Sequence, residues 1–295
     1  MRIKSGKERI IFDAMSYLVI VGFSLLCVIP FLLVLSGSFT SENSIHVDGY
    51  RLIPKHFSLS AYIVAFATPG KIIKAYMVTV SLTVFGSLTG LFIIAMTAFA
   101  LQRPHFKYRN FFALFFYFTT LFNGGLVPWY ILMVKYLHLK NNYLALLFPA
   151  MLTVFDIIIM RSFMKSIPEA LSESAKIDGA GEFRIFRQIF LPISKPALAT
   201  VGLFIALRYW NDWYAAMLYI TDENKFTLQF YLYNMLTRME FAANDAKSAG
   251  ILLEQYPAES FKLAMTVVAT GPILFLYPFV QKYFIRGLTI GAVKG

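Results

Sequence analysis

Residues 168–192 read PEALSESAKIDGAGEFRIFRQIFLP, a polar, charged island between two apolar stretches of a chain that is otherwise mostly hydrophobic. Pro168 suits the first turn of a helix, and Glu169 and Glu173 stand early, where the helix dipole favours negative charge. The spacing predicts a helix over 168–178 in which Leu171 and Ala175 share a small apolar face while Glu173 and Lys176 pair along the surface. Gly179 then breaks the run, because glycine adopts a left-handed turn that other residues resist. A second amphipathic stretch with Phe183, Phe186, Ile189 and Phe190 runs to a stop at Pro192. The pattern is two short helices with a tight bend, placed in water against a membrane, and such a loop is expected to bind something.

The rest of the chain supplies the membrane. Of 295 residues 58% are hydrophobic and 15% charged, against about a quarter charged in soluble globular proteins, which excludes an ordinary soluble globule. A net charge of +11 would suggest nucleic-acid binding if it clustered on one soluble face. Instead the basic residues lie between apolar runs. Cys27, the single cysteine, sits inside such a run and leaves no intrachain disulfide.

Taken in order, the apolar runs predict an all-α integral membrane protein with a single membrane domain over 1–295. Its spans are expected at 11–36, 73–102, 110–136, 143–164, 196–220 and 263–281. Each approaches or exceeds the roughly 20 residues needed to cross a hydrocarbon core of about 30 Å at about 1.5 Å per residue. The first, an uncharged run from Ala14 to Ser41 after Arg2, Lys4, Lys7 and Arg9, exceeds a signal-peptide core of about 7 to 15 residues and is read as retained. In the third, Asn123, Gly124, Gly125 and Pro128 leave two readings open: a kinked span, or a span ending near Phe122 followed by a re-entrant piece. Residues 37–72 and 221–262 are expected as external loops, 165–195 as a cytoplasmic loop and 282–295 as a cytoplasmic tail. On that arrangement 15 of the 27 Lys and Arg are cytoplasmic and 10 external, with the short loops most basic, as the positive-inside rule asks.

Residues that could carry chemistry are few. His46, His56, His105 and His138 are scattered without metal-ligand spacing, and Ser5-Gly6-Lys7 is only a fragment of a phosphate loop, with Glu8 where Ser or Thr should stand. The fifth span, LRYWNDWYAAML over 207–218, is the most polar. Read as one continuous helix, it places Arg208, Asn211, Asp212 and Ala215 on one face and Trp210, Trp213, Tyr214 and Met217 on the other. Two readings stay open for each set. Arg208 and Asp212, four apart, neutralise each other or serve a path; the rings form an interfacial belt or stack on sugar faces while Asn211 bonds hydroxyls. Asp156 and Arg161, five apart, should not pair with each other. The substrate-path candidates are therefore Arg208, Trp210, Asn211, Trp213 and Tyr214.

The island resembles the coupling loop, the EAA loop, of the permease subunits of bacterial ABC importers. That pattern is Glu-Ala-Ala, three residues, Gly, nine residues, Ile-x-Leu-Pro; here it is Glu173-Ser174-Ala175, then Gly179, then Ile189-Phe190-Leu191-Pro192, with Ser174 departing from alanine. Asp178 and Ala180 beside the glycine look like the version in carbohydrate-uptake permeases of the maltose type. The segment Phe122-Asn123-Gly124-Gly125-Leu126-Val127-Pro128 is similar to the polysaccharide and oligosaccharide branch that includes the second permease subunit of the alginate importer, and Gly287 to Gly295 resembles the family's C-terminal tail.

The resemblance implies a type I importer fold of six transmembrane helices with a cytoplasmic coupling helix, in a bacterial cytoplasmic membrane with both termini inside. It implies ATPase coupling through Glu173, Ser174, Ala175, Asp178, Gly179 and Ala180, and a tail contact through Thr289, Gly291, Lys294 and Gly295. No cofactor is expected in this chain; ATP and magnesium belong to partner subunits. The implied partners are a second, homologous permease, two ATPases, an extracytoplasmic solute-binding protein and an oligosaccharide or polysaccharide fragment. A permease for sugar phosphate, amino acid or peptide is the alternative within the class. An intramembrane enzyme lacks a coherent catalytic set here, and a channel leaves a docking loop without a purpose.

Overall fold

A computed structural model describes residues 7–248 and 257–292, in which the regular structure is helical, joined by irregular connections, with one isolated bridge, Thr40 to Phe57. The chain divides into two compact units, one within Met1–Thr68 and Asn234–Gly271, the other within Pro69–Tyr233 and Pro272–Gly295.

In the first unit, α1 (Lys7–Ser38) is apolar on every side over Ile11–Ser38, and its most hydrophobic window has no buried residue. A helix hydrophobic all round with nothing packed on it is one whose solvent is lipid. Beyond it the chain folds rather than loops. Ser41 N donates to His56 O (3.0 Å) and Ser58 N to Phe39 O (2.8 Å), while Phe39 stacks between Phe57 and Tyr62. The expected external loop 37–72 thus contains α2 (Glu42–Asp48) and α3 (Ser60–Ala65). From α2 the buried Glu42 carboxylate accepts hydrogen bonds from Glu259 N (2.9 Å), Ser260 N (3.0 Å) and Ser260 Oγ (3.0 Å). Those amides are the orphan donors at the N-terminus of α15 (Ala258–Ala292), so a carboxylate distant in sequence caps that helix.

The second unit is built on α4 (Pro69–Gln102). Its buried stripe is rich in small residues, Ala75, Gly86, Gly90, Ala95 and Ala98. A side chain on Gly86 would collide with the Tyr209 ring and one on Gly90 with the Met151 carbonyl, so the glycines set how closely the neighbouring elements approach, the usual device of helix packing in lipid. The core runs from Ile94, Ala98 and Phe99 to Ile157, Met160 and Met164 of α8 (Val154–Lys165), and to Val201, Ile205 and Tyr209 of α12 (Lys195–Trp210).

Several expected spans are interrupted. Only Ile11–Ser38 and Pro69–Gln102 are long and apolar enough among the described residues to cross a membrane as single helices. Over 110–136 the chain forms α5 (Arg109–Leu121), a break at Asn123 to Gly125, then α6 (Leu126–Ile131) continued by a π-helical turn to Tyr136. The two pieces meet at 114°, past perpendicular, so the second turns back instead of extending the first, which fits the re-entrant reading. Over 143–164, α7 (Leu144–Met151) and α8 bend by 43°, with Thr153 accepting from Asp156 N as the cap of α8.

The predicted continuous helix over 196–220 is likewise two: α12 stops at Trp210 and α13 (Tyr214–Tyr219) follows. The segment 221–262 holds a 21-residue helix of its own, α14 (Leu228–Ser248), started where the buried Thr79 hydroxyl accepts from Leu228 N at 2.7 Å. Gly271, Pro272 and Pro278 all lie within α15, which covers 263–281 and continues through the expected tail to Ala292.

Candidate functional site

The island of 168–192 forms two arms. The first, α9 (Ala170–Ile177), ends in Asp178 and Gly179, with Ala180 N donating to Ala175 O (2.8 Å) and Gly179 N to Lys176 O (3.0 Å). That pair of bonds is a Schellman motif, and it requires the positive φ of 77° that Gly179 adopts. The second arm starts at Glu182 as α10 (Glu182–Ile185), passes through a π-helical turn at Phe186–Phe190 and ends in α11 (Leu191–Ile193). Pro192 is no stop, since the arm carries through it and bends by 84° into α12. Phe186 and Phe190 are buried against Phe99, with ring centroids 5.3 and 4.9 Å away. The second arm is therefore seated in the core of the unit.

Two details of the first arm differ from expectation. Lys176 pairs with Glu182 across the turn (2.9 Å), not with Glu173. The inward face is Ser172 and Ala175, with Leu171 exposed, because the turn and the second arm fix which side of α9 meets the core. Of the six expected coupling residues, Glu173, Ser174, Asp178 and Gly179 are exposed, and Ala175 and Ala180 pack against the core. Ile177, 87% exposed, projects from the same polar loop.

Sequence reading missed the residue that holds both arms. Arg103, directly after α4, counted only as one basic loop residue, yet its side chain is 9% exposed. Nη1 donates to Ser172 Oγ at 2.8 Å on the first arm, and Nε donates to Glu182 Oε2 at 3.0 Å on the second. The guanidinium also lies 5.1 and 5.7 Å over the rings of Phe99 and Phe190. Burial pushes the Glu182 carboxyl up, but hydrogen bonds and charge from Lys176 and Arg103 outweigh it and hold the group below the usual carboxylate range. A lone basic residue after a span carries no sequence signal for such a role.

At the α12–α13 break, Asp212 Oδ1 accepts from Ala215 N (3.0 Å) and Thr227 Oγ1 donates to Asp212 O (3.0 Å). The signal was present: Asn211-Asp212 inside a span is a dipeptide that favours turns and caps over helix interiors. The break opens a cavity of about 600 Å³ lined by Arg208, Asn211, Asp212, Trp213 and Tyr214 with Leu146, Pro149, Ala150 and Phe204. Four of the five path candidates line it. Trp210 does not; it is buried against Tyr76 at 6.3 Å and packs the helix. Trp213 stacks on Tyr233 at 4.8 Å.

Arg208 does not neutralise Asp212. Its Nη2 meets Asp156 Oδ2 at 2.8 Å and its Nη1 donates to Ala150 O at 3.0 Å, so it bridges the break between α7 and α8. Asp156 is fully buried and pairs across elements, not with Arg161. Of the expected tail contacts, Thr289 and Gly291 stand in the last part of α15, where the structure describes the backbone alone, and Lys294 and Gly295 lie outside the described residues.

Residues 9–290 match the family described as "Binding-protein-dependent transport system inner membrane component". The chain belongs to this family. Its relatives include Protein LplC of Bacillus subtilis (strain 168), 38% identical over 99% of this chain and 97% of that one. The polygalacturonan/rhamnogalacturonan transport system permease protein YtcP of the same organism is 38% identical over 97% and 99% of the two chains. Among solved structures, a chain from the crystal structure of a bacterial ABC transporter involved in the import of the acidic polysaccharide alginate superposes with a TM-score of 0.79, at 30% identity over 96% of this chain and 99% of that one. As an inner-membrane transport component of this family, the chain is a transport subunit and not an enzyme.

Proposed function

We propose that this protein is one permease of an ATP-driven importer that carries an oligosaccharide or a polysaccharide fragment across the cytoplasmic membrane. The observation that carries the reading is the loop: a Schellman turn at Gly179 presents Glu173, Ser174 and Asp178 outward on a body seated in the permease core. In this reading the outward residues meet separate ATPase subunits, which hold ATP and magnesium, and the end of α15 adds a second contact. In this reading the chain crosses the membrane six times, with the loop and both termini in the cytoplasm; two single helices and three bent helix pairs of suitable length and composition support up to five of those crossings. A second, homologous permease completes the path, and a solute-binding protein delivers cargo to the external segments. Substrate passes beside the cavity at the α12–α13 break, where the exposed Trp213 and Tyr214 offer ring faces and Asn211 offers hydrogen bonds.

The test is reconstitution of the complete complex in liposomes with its binding protein. Uptake of labelled oligosaccharide that requires ATP and every subunit supports the reading. Uptake of amino acids, peptides or sugar phosphates in place of oligosaccharides would reject the cargo while keeping the machine, and ATP-independent flux would reject the machine.

A further inference from the structure

Arg103 occupies the junction between α4 and the loop, and its environment is unlike that of a basic residue that merely follows a span. Such a residue ordinarily extends into the headgroup region or into water. Arg103 instead turns inward. It is among the few buried charged side chains of the described residues and divides its donors between Ser172 of α9 and Glu182 of α10. Lys176 holds the other Glu182 oxygen, Oε1, at 2.9 Å. The first arm, the turn, the second arm and the end of α4 are thus closed into one hydrogen-bonded body around a planar group, and only arginine supplies several donors in a fixed fork.

The other end of the connection is also visible. α4 continues from Arg103 past Phe99, which packs on Phe186 and Phe190, to Gly86, which lies against the Tyr209 ring. Tyr209 neighbours Arg208 in sequence, and Arg208 lines the cavity. A displacement of α9 has a continuous packed route to the cavity, and its first link is Arg103.

We infer that Arg103 is the positioning residue that makes the loop and α4 move as one body, converting loop displacement into movement of the cavity wall. The inference rests on the loop being the ATPase-coupling element and goes beyond it by assigning the transmission step to one side chain. Without Arg103 the loop still presents its outward face, so the ATPases still dock and hydrolyse ATP. The first arm, which Arg103 bonds to the end of α4 through Ser172, then slips against α4, and hydrolysis is spent without transport.

The experiment uses the reconstituted complex and reads three quantities: subunit stoichiometry after purification, ATP hydrolysis, and labelled oligosaccharide taken up per ATP hydrolysed. For Arg103→Met the expected result is a complete complex that hydrolyses ATP with uptake per ATP lowered roughly 10-fold, the scale of an ordinary coupling free energy. Arg103→Lys, a charge without the fork, falls between wild type and Met. An assembled Arg103→Met complex with the wild-type ratio overturns the proposal. Should Arg103→Met fail to assemble, Glu182→Gln carries the test, because its side chain is half exposed and its shape is kept; a lowered ratio supports the proposal and a wild-type ratio overturns it. Gly179→Trp separates the two levels. If it abolishes stimulated hydrolysis while the Arg103 and Glu182 variants keep the wild-type ratio, the loop reading stands and this inference fails. If Gly179→Trp is itself silent, the loop reading fails.

Discussion

Arg208 of α12 and Asp156 of α8 meet at 2.8 Å, and the pair joins two elements that are both interrupted beside the same cavity. Asp156 is fully buried and bonded to Thr153 Oγ1 at 2.7 Å, and Arg208 also satisfies the Ala150 carbonyl. Such a pair is costly to desolvate, and removing one partner leaves an uncompensated charge, typically about 3–5 kcal/mol. Arg208→Met and Asp156→Asn are each expected to lower the thermal midpoint of the detergent-purified permease. The double variant Arg208→Met with Asp156→Asn should lose less than the two single variants together. Double-variant stability equal to the sum of the single losses would show that the two residues act independently.

Trp210 and Trp213 should separate cleanly. Trp210 is buried, so Trp210→Ala leaves a cavity costing about 3–5 kcal/mol and is read as lost thermal stability. Trp213 is exposed at the cavity, so Trp213→Ala should raise the sugar concentration needed for half-maximal uptake with little change in melting. The reverse pattern would contradict the placement of both rings.

Gly179 has open space around its missing side chain and a positive φ, so bulk and backbone strain are separable. Gly179→Ala meets only the left-handed penalty, about 1–2 kcal/mol, and should assemble and transport with a less stable loop. Gly179→Trp adds bulk on the outward face and should lose ATPase docking, measured by co-purification. Equal behaviour of the two variants would place the constraint in the backbone alone.

Glu182 gives a pH dependence of definite sign. Its carboxyl is held below the ordinary value, so the folded loop binds the proton more weakly than the unfolded chain. The stabilisation is fully present above the ordinary carboxylate range and is lost as pH falls through the depressed folded value. Hydrogen-exchange protection over 170–190, corrected for the intrinsic pH dependence of amide exchange, should therefore fall in acid, and the step should disappear in Glu182→Gln. An unchanged step in that variant would assign the titration elsewhere.

Glu42 caps the first amides of α15 from a distant part of the chain. Glu42→Ala leaves those donors buried and unpaired, at about 1–3 kcal/mol, and should expose the start of α15 to protease before the rest of the protein melts. Simultaneous cleavage and melting would show that this cap is not a local latch.

The sequence by itself determined the membrane class, the loop and its bend. Apolar run length, the turn preference of Gly179 and the spacing from Glu173 to Pro192 are local properties, written in consecutive residues. It also marked the polar cluster of the fifth run, but the face count assumed a continuous helix, and Asn211 and Asp212 end that helix at Trp210. Only the tertiary structure decided which charges meet. Arg208 takes Asp156 in place of Asp212, Lys176 takes Glu182 in place of Glu173, and Arg103 turns from a basic loop toward Ser172. The reason is physical: along one helix a charge has only neighbours three or four residues away, whereas inside a packed body the cost of desolvation directs each buried charge to whatever partner the fold places within about 3 Å.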